Sequence, residues 1–285
     1  MLSVILSGIA LGAIYSSVAM VYNLTYATSR VLSITAGFTF MIGGVLGAYF
    51  IDIAKLQPIV GFLATLVAGA LLGLAIEFVA VRRVLERSDQ HLWLLSTLAF
   101  STIIQQVVAL TWGTEPRRFP RLFKQDFGGL LDQKYWLPIG AVLLVAAMLE
   151  LFLRRTIIGK LFVAVSDDTQ AAVARGIPVN AVRAASYALA GTVGSLTGFA
   201  AGQLTFAYFA LGFMLTLNGF IALAIGGLGS TAGALTGGLL LGLLTAFATH
   251  FFGGAFQNSI STGLLIILLL ARPQGLFGVR AARMV

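Results

Sequence analysis

Apolar residues along this chain come in long unbroken runs, with polar positions gathered between them. Crossing a bilayer as a helix takes about 20 predominantly apolar residues. Runs of that length lie near 2–22, 31–51, 58–81, 92–111, 136–153 and 183–205. The stretch 211–271 is also apolar, but glycines interrupt it at Gly226, Gly227 and Gly229 and again at Gly253 and Gly254. That pattern predicts a short or re-entrant piece, a full span near 231–250 and a last span near 255–271. The expected fold class is therefore all-α, a polytopic membrane protein with eight or nine transmembrane or re-entrant helices.

One intervening segment is long enough to ask whether it also spans. Residues 154–175 carry six charges, Arg154, Arg155, Lys160, Asp167, Asp168 and Arg175. At about 3 kcal/mol each they cost roughly 18 near mid-membrane, against roughly 3.5 kcal/mol returned by the Leu, Ile, Phe and Val residues. The segment stays in water or at the interface. Within it, Asp167 is a candidate N-cap with Gln170 three residues on, and Asp168 suits the positive end of the helix dipole. Gly176 fits the left-handed position past the end, and Pro178 stops continuation. The prediction is a helix of about two turns, near 12 Å long. Its expected exposed surface is mostly alanine, Ala171, Ala172 and Ala174. Such a helix either lies on its own bundle at the interface or receives a cytoplasmic partner, and the residues alone leave both open.

Composition agrees with the pattern. The 285 residues are 59% hydrophobic and 10% charged, with a mean hydropathy of +0.97, whereas soluble domains are nearer a quarter charged. The net charge of +8 does not imply nucleic acid, because the basic residues sit in short clusters between spans and not along one face. Loops rich in Lys and Arg stay in the cytoplasm. The clusters Arg82, Arg83 and Arg87, then Arg154, Arg155 and Lys160, then Arg272, Arg280 and Arg283 are separated by even numbers of spans, so all face that side. The loop 112–135 then lies outside, although Arg117, Arg118, Arg121, Lys124 and Lys134 outnumber Glu115, Asp126 and Asp132. It is either a merely solvated loop or a surface for an extracytoplasmic partner. The amino terminus is outside if nine segments cross and inside if one is re-entrant. The first basic residue is Arg30, so a cleaved signal peptide is not expected.

Candidate chemistry is sparse. Cysteine is absent and there are two histidines, which leaves no thiolate or imidazole cluster, so no metal site is expected. His91 is expected at the interface and His250 at the outer end of a helix. No nucleotide cradle is visible, since the Gly159-Lys160 pair is followed by Leu161 and not by a hydroxyl residue. No catalytic set is visible either. Glu77 precedes Arg82 and Arg83, and Glu150 precedes Arg154 and Arg155, so local ion pairs are expected for both and no buried proton relay remains. Candidates for a solute path are Thr35, Gly37, Thr39, Gly43 and Gly44, with Thr216, Asn218 and Gly219, where broken helices could turn backbone groups towards a polar solute. The competing reading for the glycines is packing. Gly43 with Gly47, Gly69 with Gly73, Gly194 with Gly198 and Gly238 with Gly242 have the four-residue spacing that brings helices together.

The stretch TIIGKLFVAVSDDTQAAVARGIPVNAVRAASYALAG resembles the cytoplasmic coupling segment of permease subunits in branched-chain amino-acid type ABC importers. GGLGSTAGALTGGLLLGLL at 226–244, RPQGLFG at 272–278 and the opening GIALGAIYSSVAMVYNLTYA are similar to the same family. The resemblance implies one transmembrane permease domain over 1–285, with a coupling segment at about 154–182 and an extracytoplasmic loop at about 112–135. Gly159, Asp167, Asp168, Ala171, Ala172, Arg175 and Gly176 would serve coupling to an ATPase. It also implies an inner-membrane location in contact with lipid, a second homologous permease, two cytoplasmic ATPase subunits and an extracytoplasmic solute-binding protein. No cofactor is expected in this chain, ATP and Mg being used by the ATPases. The family usually carries an Asn-Phe-Ala-His/Gln-Gly-type stretch after the first span. Here SITAGFTF, Ser33 to Phe40, stands instead and keeps only Gly37, so the resemblance implies a translocation path, shared with the second permease, for a small polar solute of the branched-chain or other amino-acid class without naming which. The alternatives are a stand-alone secondary carrier or channel and a non-transporting membrane scaffold.

Overall fold

The computed structural model describes residues 1–85, 92–120, 132–271 and 275–276. Arg87, His91, Arg121, Lys124, Asp126, Arg272, Arg280, Arg283 and most of RPQGLFG lie outside the described residues. In chain order the helices are α1 (Leu2–Ser29), α2 (Ala36–Ala48), α3 (Pro58–Ala75), α4 (Arg83–Leu85), α5 (Leu92–Trp112), α6 (Gln133–Arg155), α7 (Ile157–Asp167), α8 (Thr169–Ala174), α9 (Val179–Thr205), α10 (Leu211–Gly226), α11 (Thr231–Phe252) and α12 (Gln257–Ala271). Two wider π-helical turns, Tyr49–Ile53 and Ile76–Arg82, extend α2 and join α3 to α4. The fold is polytopic and all-α. Among the described residues, six helical stretches are long and apolar enough to cross a membrane: Leu2–Ser29, Ala36–Ile53, Pro58–Leu85, Leu92–Trp112, Gln133–Arg155 and Thr231–Phe252.

At 27 residues, α9 reaches about 40 Å. It lies outside these six and sits centrally against α1, α2, α3 and α6. Its small residues are what permit that position. A Cβ on Gly194 would overlap Thr39, and one on Gly198 would overlap the Phe40 carbonyl. Without a strong hydrophobic drive between helices in lipid, such close backbone packing is the main source of association. The same logic joins α1 to α11, where a side chain on Gly238 would overlap Ser16 and one on Gly242 would overlap Gly12. The packing reading therefore holds for these glycine pairs.

Two boundaries differ from expectation. Helix α1 continues beyond residue 22, its polar side chains satisfied within the helix, with Thr25 Oγ1 donating to the Val21 carbonyl at 3.1 Å and Ser29 Oγ to the Thr25 carbonyl at 2.7 Å. It ends at Arg30, which is left-handed with φ 57°. The span expected from residue 31 begins at Ala36 instead, because Ser33 and Thr35 bond each other at 2.6 Å. Such local side-chain bonds compete with helix. The intervening Val31, Ser33 and Thr35 are buried, so an irregular stretch runs inside the bundle.

Contacts between helix ends set the polarity. Arg30, past the end of α1, donates to the Ser166 carbonyl in α7, and Glu77 near the end of α3 pairs with Arg183 in the second turn of α9. Arg82, Arg83, Arg154, Arg155, Lys160 and Arg175 accordingly gather at one end of the bundle, which the positive-inside rule makes cytoplasmic. At the other end, Arg117 and Ala207 exchange two 3.0 Å backbone hydrogen bonds. Phe119 is buried there against Phe199, with ring centroids 5.2 Å apart. The first part of the outer loop is thus pinned to the bundle.

Candidate functional site

The capping of α8 differs from the sequence expectation by one residue. Asp168, not Asp167, is the N-cap, its Oδ1 accepting from the amides of Gln170 at 2.8 Å and Ala171 at 3.0 Å. Asp167 remains the last residue of α7, because α7 is itself a helix and the chain turns extended only at Asp168, φ −148°. At the other end, the Ile177 amide donates to the Ala172 carbonyl at 3.0 Å and Gly176 to Val173 at 2.9 Å. This is the paired closure that a left-handed residue permits, and Gly176 has φ +78°. Six residues could not hold a helix alone. Closed at both ends, α8 has few backbone groups left to satisfy.

Ala172 was expected on the exposed face and is instead buried, 3% exposed, among Phe162, Val165 and Val182. It is the point by which α8 rests on α7 and α9, which a turn of only six residues needs. Ala171, Val173, Ala174 and Arg175 face outward. Gly159 lies in the first turn of α7, its amide donating to Thr156 Oγ1 at 2.9 Å. A Cβ there would overlap the Phe152 carbonyl, so glycine lets α7 fold back against the end of α6. Beside this segment a cleft of about 520 Å³ opens between α1, α6, α7 and the turn before α11, with Asn23, Arg30 and Asp167 among its polar lining.

The expected path residues separate into two groups. The Gly37 amide donates to Thr216 Oγ1 at 3.0 Å, and the single proton of that hydroxyl has two acceptors in reach, the carbonyls of Gly212 at 2.8 Å and Ile34 at 3.1 Å. Thr216 thereby closes the break before α2. Thr35 and Thr39 line a neighbouring cavity of about 10 Å³ with Thr25, Ser33 and Tyr187, a space on the scale of one water. Asn218 and Gly219 make other contacts. Asn218 Nδ2 donates to the Met214 carbonyl one turn back at 3.0 Å, beside the exposed Phe213, Met214 and Leu217. Gly219 packs against Val18 of α1.

Glu77 does not pair locally. Arg82 and Arg83 stand five and six residues on, outside the three- or four-residue spacing of a helix face. Both stack near the Phe78 ring, 5.8 and 5.7 Å from its centroid. Glu77, 2% exposed, bonds Arg183 Nε at 3.0 Å, and Arg183 Nη2 donates to Asn180 at 2.9 Å. The sequence signal for this pair was an arginine among alanines at the start of a span, a charge that burial obliges to find a partner. Glu150 pairs as expected, 2.5 Å from Arg154 at the surface. Among the described residues no group of three or more acidic or imidazole side chains could hold a metal ion. His250 is exposed in the last turn of α11, against Phe251.

A family model described as branched-chain amino acid transport system / permease component matches residues 4–271. The high-affinity branched-chain amino acid transport system permease protein BraD of Pseudomonas aeruginosa is 28% identical, over 96% of this chain and 94% of that protein. LivH of Escherichia coli, named likewise, is 27% identical over 95% of this chain and 94% of its own length. The probable LivH of Methanocaldococcus jannaschii is 28% identical over 90% and 86%. Among solved structures, PsaBC from Streptococcus pneumoniae in complex with Fab shares the fold with a TM-score of 0.53, at 13% identity, over 95% of this chain and 91% of that one.

Proposed function

We propose a mechanism for a chain that belongs to the branched-chain amino acid transport permease family. The protein is a multi-pass membrane permease subunit of an ABC importer for amino acids, and not an enzyme. ATP hydrolysis belongs to separate subunits, and a solute-binding protein delivers the solute. In our reading the assembly has a second related permease, two ATPases that use ATP and Mg, and an extracytoplasmic binding protein. Branched-chain amino acids are the favoured solutes.

One observation carries the mechanism: a short, doubly capped helix stands at the basic end of the bundle, anchored by Ala172 and presenting Ala171, Val173, Ala174 and Arg175 outward. A small apolar knob with a closed backbone suits insertion into a groove of a cytoplasmic partner. Closure of the ATPase pair pushes α8, and α9, which follows after Gly176 and Pro178, carries the push into the bundle. The broken region of Thr35, Gly37, Thr39 and Thr216 and the flank of α10 at Asn218 and Gly219 form the path, whose opening alternates between the two sides. The ligand shifts this equilibrium only through contacts that differ between the two states.

The test is reconstitution in liposomes. This chain with its second permease, ATPases and binding protein should take up L-leucine only with ATP, and this chain alone should take up none under an ion gradient. Uptake by the chain alone would overturn the reading.

A further inference from the structure

The coupling helix is followed, within ten residues of its end, by a buried ion pair. Ala172 of α8 packs with Val182 of α9, and the next residue, Arg183, bonds Glu77 of the π-helical turn at 3.0 Å. Both side chains are nearly inaccessible, at 10% and 2% exposure. One turn further, Tyr187 and Ser29 hydroxyls meet at 3.2 Å, and Ser186 Oγ donates to the Leu24 carbonyl. A Cβ on Gly73 would overlap the Tyr187 carbonyl, so α3 and α9 also touch by backbone there. The base of α9 is thus held on one side to α8, on another to α3 and on a third to α1.

A buried ion pair is a poor way to gain stability, since hydrophobic residues of similar volume do as well or better. It does fix two elements in one register, and its loss from one side leaves a charge that the surroundings cannot solvate. The π-helical winding is also informative. Such turns are rare and recur at functional sites, and this one begins at Ile76 and contains Glu77.

We infer that Glu77 and Arg183 are positioning residues for transport, the link that makes α3 move with α9 when α8 is pushed. The inference rests on the permease reading above. The push enters at α8, passes through the Ala172–Val182 contact, and reaches α3 because the ion pair prevents α9 from rotating past it. Without the pair, the backbone contact of Gly73 with Tyr187 remains, but α9 can turn about it and less of the α8 motion reaches α3.

The experiment uses the complete importer in proteoliposomes, with radiolabelled L-leucine and ATP hydrolysis measured together. Glu77→Gln and Arg183→Gln should leave hydrolysis within about twofold of wild type while leucine moved per ATP falls roughly three- to tenfold. Because either change leaves one buried partner unpaired, the double variant Glu77→Met with Arg183→Met, which removes both charges and keeps the volume, provides the decisive reading. It should fold, hydrolyse ATP and show the same loss per ATP. A wild-type ratio in the double variant, or hydrolysis and uptake falling together with the ratio unchanged, overturns the inference. A wild-type assembly without ATP-driven uptake defeats the permease reading itself, and that outcome needs no variant to be recognised.

Discussion

The amide of Gly37 donates a 3.0 Å hydrogen bond to the hydroxyl of Thr216, 179 residues further along the chain. Helix α2 begins inside the bundle, where its first amides have no water to turn to. Replacing Thr216 with Val keeps the volume and removes the acceptor, and an unsatisfied buried amide costs about 1–3 kcal/mol. The Thr216→Val protein should therefore melt at lower temperature in detergent, followed by tryptophan fluorescence, while Thr216→Ser melts close to wild type.

Asn218 gives the opposite expectation. Although buried, its Nδ2 bonds, among the described residues, a carbonyl of its own helix, so Asn218→Leu leaves no partner on another helix unpaired and should lower stability less than Thr216→Val. As a path residue it should nevertheless raise the apparent KM for leucine uptake. Normal kinetics at normal expression would remove it from the path.

For the coupling helix the informative substitution is at an outward position. Val173, 59% exposed, should tolerate Asp in the folded, inserted protein while ATPase association, measured by co-purification, is lost. Ala172→Arg would instead place a charge among Phe162, Val165 and Val182. Its expected effect is a loss of folded protein, because an unpaired buried charge is strongly destabilising, and it would say little about docking.

The glycine seam between α1 and α11 makes a paired prediction. A side chain on Gly242 would overlap the backbone of Gly12, whereas one on Gly140 of α6 meets nothing within 4 Å. Gly242→Val should abolish monodisperse protein on size-exclusion chromatography. Gly140→Ala should elute normally and gain up to about 1 kcal/mol from helix propensity.

What the sequence made legible is what depends on neighbours in the chain. The long spans follow from apolar runs, and the stop of α8 follows from Gly176 and Pro178. The one-residue error at its start has a local cause, two adjacent acids that could each cap, decided by α7 running through Asp167. The partner of Glu77 was not legible, because 106 residues separate it from Arg183 and only packing brings α3 and α9 together. The burial of Ala172 was missed for a similar reason. Helical periodicity says which residues share a face, but not which face meets α9.

The seam between α1 and α11 has a further consequence for how the protein is made. Gly8 and Gly12 fit against Ala246 and Gly238, so the first helix has no permanent neighbour along that side until well over 200 residues have followed it. At about 5–20 residues per second, that means a wait on the order of ten to fifty seconds. During biosynthesis α1 must rest with its bare glycine stripe against lipid or the insertion machinery. Docking of α11 then covers the stripe, which a chain ending before α11 would leave without its partner.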